Sequence, residues 1–236
     1  MVFLISILLG LSMGSGTVFS LQYGAGRMKA LRRSIYVSAV LIGTVTIVLN
    51  IAALSFIHPI LKLLQIPDDI YQMMYDYLWI IFWGIGFTFI YNFYAALLRA
   101  IGNAVTPLYF LAISVVLNIG LDLFFILLLD WGIKGAAIAT IIAQGVSALG
   151  IMGYTYAKCP ELRLHRNDLH FDRHCLKEIT SFSTLTCIQQ SVMNLGILMV
   201  QGLVNSFGSM VMAAFAAAIK IDSFAYMLSL IHISEP

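Results

Sequence analysis

Charged side chains are scarce in this sequence: 13 Lys and Arg with 11 Asp and Glu make up 10% of 236 residues. A soluble domain carries about 25%. The chain has too few charges to cover a water-facing surface and reads as an integral membrane protein. Cysteine is scarce too. Cys159, Cys175 and Cys187 form no framework, which excludes a disulfide-stapled secreted module. No basic segment precedes the apolar opening VFLISILLGLSMGSGTVFS, so no cleaved signal peptide is expected. Catalytic signatures are missing as well: there is no HExxH, no GxSxG and no Walker loop. The chain is not expected to be an enzyme, and any transport it performs would be secondary, not ATP-driven. Nothing in it points to nucleic acid.

What is present is apolar residue after apolar residue. The chain is 61% hydrophobic with a mean hydropathy of +0.94, spread along its length and not confined to one anchor. The organising stretch is Pro107 to Leu129, twenty-three residues in which only Asn118 and Asp122 break the apolar run. About 20 residues rising about 1.5 Å each cross a hydrocarbon core. Asn118 and Asp122 are four apart and therefore share a helical face. An ionised carboxylate facing lipid costs about 2.5 to 3.5 kcal/mol even on a lenient scale. Asp122 is thus expected to face a bundle interior or a wet cavity. It marks either an ion or substrate path or a structural polar clamp between helices.

The remaining spans follow in order. Met1 to Tyr23 is the first, with Gly10 and Gly14 in a GxxxG that predicts a close helix–helix approach. After the basic turn with Arg27, Lys29, Arg32 and Arg33, Ile35 to Ile57 is the second. His58 to Tyr71 reads as an interfacial segment and a helix start at the Asp68–Asp69 pair. Tyr77 to Leu98 is the third, rich in rings such as Trp83, Phe87 and Tyr91, and more a packing surface than a dedicated binding box. Pro107 suits the first turn of the fourth span. Gly135 to Ala157 is the fifth, with Thr140 and Gln144 on one face. Lys158 to Glu178 is the long polar loop; its His165, His170, His174 and Cys175 read as a solvated linker, not a metal site. Ile179 to Asn205 is a polar sixth span carrying Gln189, Gln190 and Asn194, which line a substrate path or simply hydrogen-bond between helices. A seventh stretch begins near Met210 and is interrupted by Lys220 and Asp222.

Short loops after the odd-numbered spans hold ten Lys and Arg, and those after the even-numbered spans hold two. The positive-inside rule places the first set in the cytoplasm and Met1 outside. A chain that begins outside without a signal peptide implies a preceding helix.

LQYGAGRMKALRR (21–33), YNFYAALLRAIGNAVTPLYFLAISVVLNIGLDLFFI (91–126), WGIKGAAIATIIAQ (131–144), ELRLHRNDLHFDRHCLKEI (161–179) and GLVNSFGSMVMAAFAAAIKIDSFAYM (202–227) resemble, in consistent order, the multidrug and toxic compound extrusion (MATE) family. That resemblance implies an all-α, multi-span helical bundle, with most of one six-helix lobe and the start of the second. Residues 1–157 would be the N-terminal lobe without its first helix, 158–178 the cytoplasmic inter-lobe loop and 179–230 the start of the C-terminal lobe; 231–236 reads as a non-native tail. The family carries a cation site in its N-terminal lobe. The first-helix aspartate of that site has no counterpart here, whereas Asn118 and Asp122 match its helix-five pair, Thr140 its helix-six threonine and, less closely, Asn92 a helix-four residue. The implied function is export of drugs or organic cations in exchange for H⁺ or Na⁺, from the cell membrane, with no cofactor beyond the coupling ion. Partners would be a cationic or amphiphilic small molecule and the lipid bilayer. Trp83, Phe87 and Tyr91 would offer cation–π attraction, and Tyr91 is expected on the substrate path with Gln189, Gln190 and Asn194. Alternatives are a lipid-linked oligosaccharide flippase of the same superfamily, a membrane-embedded enzyme, or an inactive fragment.

Overall fold

The computed structural model describes residues 2–63, 68–164 and 173–206, with positions 215, 218 and 219; among these every regular element is helical. The elements are α1 (Val2–Gly24), α2 (Met28–Ser55), α3 (Ile57–Leu63), α4 (Asp68–Trp83), α5 (Ile85–Ala100), α6 (Val105–Leu123), α7 (Gly132–Lys158) and α8 (Arg173–Ser206). His165, His170, most of the stretch from Met210 onward and the 231–236 tail lie outside the described residues. The chain divides into two compact units, 1–190 and 191–236. The first holds α1 to α7 and the opening part of α8. The second begins with the helical residues 191–206.

Four helices are long and apolar enough to cross a membrane, over Ile5–Gly24, Met28–Ser55, Val105–Leu128 and Gly132–Lys158. Tyr71–Trp83 and Ile85–Ala100 add a fifth if the pair, bent by 41°, is one broken span. The expected third span, Tyr77 to Leu98, thus falls across two helices that meet at a bend. At Gly84 the N–H bonds to Ile81 O at 2.9 Å, a tighter turn than α-helical spacing. A Cβ there would lie 2.9 Å from Ile141 Cγ1, so the missing side chain lets α7 press into the bend. The second span also begins seven residues earlier than expected, at Met28. Arg32 and Arg33 are good helix formers and sit in the opening turns, Arg33 exposed and Arg32 reaching Glu161 O at 3.5 Å, while Leu31 beside them is fully buried. The polar sixth span is helical as α8 but is not among the helices apolar enough to cross alone. Its threonines and the Gln189–Gln190 pair dilute it.

The core forms where α1, α2 and the α4–α5 pair meet. Leu8, Phe19, Leu31, Ile35, Ile42, Phe82, Ile85, Phe93 and Leu97 pack there as one cluster. Phe19 and Phe93 meet edge to face, their centroids 6.0 Å apart. Gly10 and Gly14 do what the GxxxG predicts, in antiparallel register against α8. A Cβ on Gly10 would lie 2.7 Å from Cys187 Sγ, and one on Gly14 would run into the Ser183 backbone. Ser183 Oγ then reaches Leu11 O at 3.2 Å.

Candidate functional site

The site is assembled on α7. In α7 the buried face is almost entirely small: Gly135, Ala137, Ala139, Ala143, Gly145, Ser147 and Ala148, with Ile151 and Thr155 toward the end. Small residues let α5 and α6 approach it closely. Phe87 of α5 rests 3.6 Å from where a Gly145 Cβ would stand, and Phe110 of α6 fills the space beside Gly150.

Polar residues recur on this helix at 140, 144 and 147, and each meets a different neighbour. Thr140 Oγ1 accepts from Asn118 Nδ2 at 3.4 Å and donates to Ala136 O at 2.9 Å. Gln144 Oε1 accepts from Thr88 Oγ1 at 3.1 Å, tying α7 to α5. Ser147 Oγ donates to Phe110 O at 2.8 Å, a second tie to α6. Tyr91 Oη donates to Pro107 O at 2.9 Å and closes the triangle between α5 and α6.

These ties frame a cavity of about 310 Å³ lined by Ile5 and Leu9 from α1, Thr88, Tyr91 and Asn92 from α5, Leu111 and Ser114 from α6, and Gln144 and Ser147 from α7. Of the residues expected to hold a cation, Asn118 and Thr140 are in contact. Asp122 follows Asn118 by one turn of α6; its Oδ1 is enclosed and has no hydrogen-bond partner among the described residues. Asn92 lies apart from that trio, on the cavity wall, with Nδ2 donating to Thr88 O at 2.8 Å. Of the three rings expected to favour a cation, only Tyr91 reaches the cavity; Trp83 is 60% exposed. Gln190 Nε2 lies 3.8 Å from Met13 Sδ, and Gln189 is exposed. Asn194 belongs to the second unit.

Sequence reasoning missed Thr88, Ser114 and Ser147. The i, i+4 spacing of Thr88 and Asn92, and the continuation of Thr140 and Gln144 to Ser147, are signals that point to them. Just beyond Asp122 the helix loosens into a π turn over Phe124–Leu128. Phe125 stacks on Trp131 there at 5.1 Å and 4° between ring planes. Such turns concentrate at functional sites. No group of three His, Cys, Asp or Glu able to hold a metal ion occurs among the described residues.

The MatE family model matches residues 1–124. The chain belongs to the MATE family. It is 33% identical over 93% of its length to the probable multidrug resistance protein YpnP of Bacillus subtilis, covering 49% of that protein. To YoeA of the same organism, also a probable multidrug resistance protein, it is 28% identical over 95% of its length and 50% of the relative's. The Vibrio cholerae MATE transporter VcmN in its bent form superposes with a TM-score of 0.82 at 27% identity, covering 95% of this chain and 51% of that one. This MATE chain therefore spans about half the length of the curated relatives it matches.

Proposed function

We propose that this chain forms the ion-binding half of a secondary active transporter that exports drug-like organic cations or amphiphiles in exchange for H⁺ or Na⁺. One observation carries the reading: an enclosed carboxylate oxygen of Asp122 without a partner, one turn from the Asn118–Thr140 pair. A carboxylate inside an apolar bundle is costly unless it holds a proton or a cation. Release of that proton or cation on one side of the membrane and its uptake on the other is what ties such a group to an ion gradient. The Asn118 amide oxygen and the Thr140 hydroxyl add the neutral oxygens a hard cation prefers. Thr140 bridges the pair to α7, whose next turn, Gln144, lines the cavity. That continuity offers a route by which ion occupancy biases how the lobes open, as in alternating access.

The names of the relatives support small-molecule efflux. The charge asymmetry of the loops supports a multi-pass chain with its basic loops in the cytoplasm, and the reading places it in the cell membrane. A flippase of anionic lipid-linked sugars calls for a strongly basic cavity, and the cavity lining here includes no Lys or Arg. The test is Asp122→Asn in cells expressing the whole gene, with efflux of a cationic dye driven by an imposed H⁺ or Na⁺ gradient. Gradient-driven efflux is expected to be abolished at unchanged protein level. Efflux equal to that of the unaltered protein would remove Asp122 from the mechanism.

A further inference from the structure

Far from the α5–α7 cavity, the turn that joins α1 to α2 and the first turns of α8 enclose a second one, of about 410 Å³. Its polar lining is mixed in sign: the Arg27 guanidinium and the Glu178 carboxylate, with the His174 imidazole and the Gln22 amide beside them. Gln22 Oε1 is buried without a hydrogen-bond partner among the described residues. The apolar part is graded. Val18 is 2% exposed and forms the floor, whereas Leu21 and Phe182 are 60% and 39% exposed. The cavity sits at the end of two apolar spans, α1 and α2, which is headgroup depth in a bilayer.

We propose that this cavity binds a phospholipid with a primary-ammonium headgroup, phosphatidylethanolamine, distinct from the transported substrate. The phosphodiester needs a cation at the mouth, and the Arg27 guanidinium supplies a forked donor for it. An anion-only ligand leaves the buried Gln22 oxygen without a donor, and it makes no use of the exposed Glu178 carboxylate at the mouth. An ammonium answers both, since it brings three donors and one positive charge. A trimethylated choline brings the charge without the donors. A glycerol headgroup brings hydroxyl donors without the charge. The exposed faces of Leu21 and Phe182 are left for the acyl chains.

The test is competitive retention of lipids by the purified, unaltered whole protein in detergent, read by native mass spectrometry. Phosphatidylethanolamine, phosphatidylcholine and phosphatidylglycerol with identical acyl chains are offered in equal amounts. Retention of the ethanolamine lipid is expected to exceed the other two by about tenfold, the worth of one charge-assisted hydrogen bond. Equal retention of all three overturns the proposal without recourse to any variant. Glu178→Gln should erase the preference over phosphatidylglycerol, and Arg27→Gln should lower retention of all three phospholipids. A preference that survives Glu178→Gln overturns the assignment of the ammonium. Soluble glycerophosphoethanolamine is expected not to displace the lipid at equal concentration; displacement would mean that the site reads a free headgroup and not a membrane lipid.

Discussion

Helices α6 and α7 are neighbours, and the span that α6 begins is the more apolar of the two, with a mean hydropathy of 2.4 against 1.7, yet they use their apolar residues in opposite ways. In α7, 44% of the most apolar window is buried inside the chain; in the span that α6 begins, the figure is 0%. Only Pro107 of α6 is buried. Val115, Val116, Ile119 and Leu123 of α6 are all more than half exposed. In water that contrast would be paradoxical, because the more hydrophobic helix should lie deeper. In a bilayer, lipid tails are as apolar as Leu, so burial between helices is governed by shape and hydrogen bonding. Thus α7 is enclosed because its inner face is Gly, Ala and Ser, and α6 attaches through Asn118, Phe110 and Pro107 while its large side chains face outward.

If shape holds α7 in place, filling it should be the most damaging change. Ala139 and Ala143 are 0% and 1% exposed. Ala139→Leu adds bulk where neighbours already touch, and overpacking of this kind costs about 1–3 kcal/mol. Thermal unfolding of the purified protein in detergent should show the loss as a lowered midpoint. An unchanged midpoint would mean that α5 and α6 can move aside, and the contrast with α6 would lose its basis.

The polar ties come next. Thr140→Val keeps the volume of the side chain and removes the acceptor for Asn118. Hydrogen bonds between membrane helices contribute about 0.6 kcal/mol on average, and at 3.4 Å the Asn118–Thr140 bond is a long one. A double-mutant cycle of Thr140→Val with Asn118→Leu should return a coupling near that figure. Zero coupling would leave the α6–α7 contact to packing alone, and Asn118 to the ion.

How far this was legible in the sequence depends on which residues carried the signal. Asn118 and Asp122 stand out because polar atoms are expensive in an apolar run, and their helical spacing fixed their shared face. The GxxxG of α1 was legible for the same reason in reverse: its small residues have no purpose in lipid except close approach. The break at Gly84 was not legible, because apolar residues flank it on both sides and glycine is common in membrane helices. The early start of α2 was hidden by its arginines, which look like loop but tolerate a helix end. The π turn at FFILL leaves no trace in composition. Thr88, Ser114 and Ser147 are short hydroxyls that can bond a nearby backbone carbonyl, so hydropathy barely registers them, although they line the cavity.

The smallest effect expected is on the outer face of α6, and it is the sharpest probe of what that face meets. Val116 is 71% exposed. If its surroundings are lipid or detergent, Val116→Ala exchanges one apolar surface for another in an apolar medium and leaves no cavity. Stability should then stay within about 0.5 kcal/mol of the unaltered protein. A cavity term appears only where protein surrounds the missing methyl groups. Measured in the whole protein, a loss well above that margin would therefore show that another protein surface packs on α6 beside the Asn118–Asp122 face. The outward-facing valines would then be an interface between parts of the transporter and not its boundary with lipid.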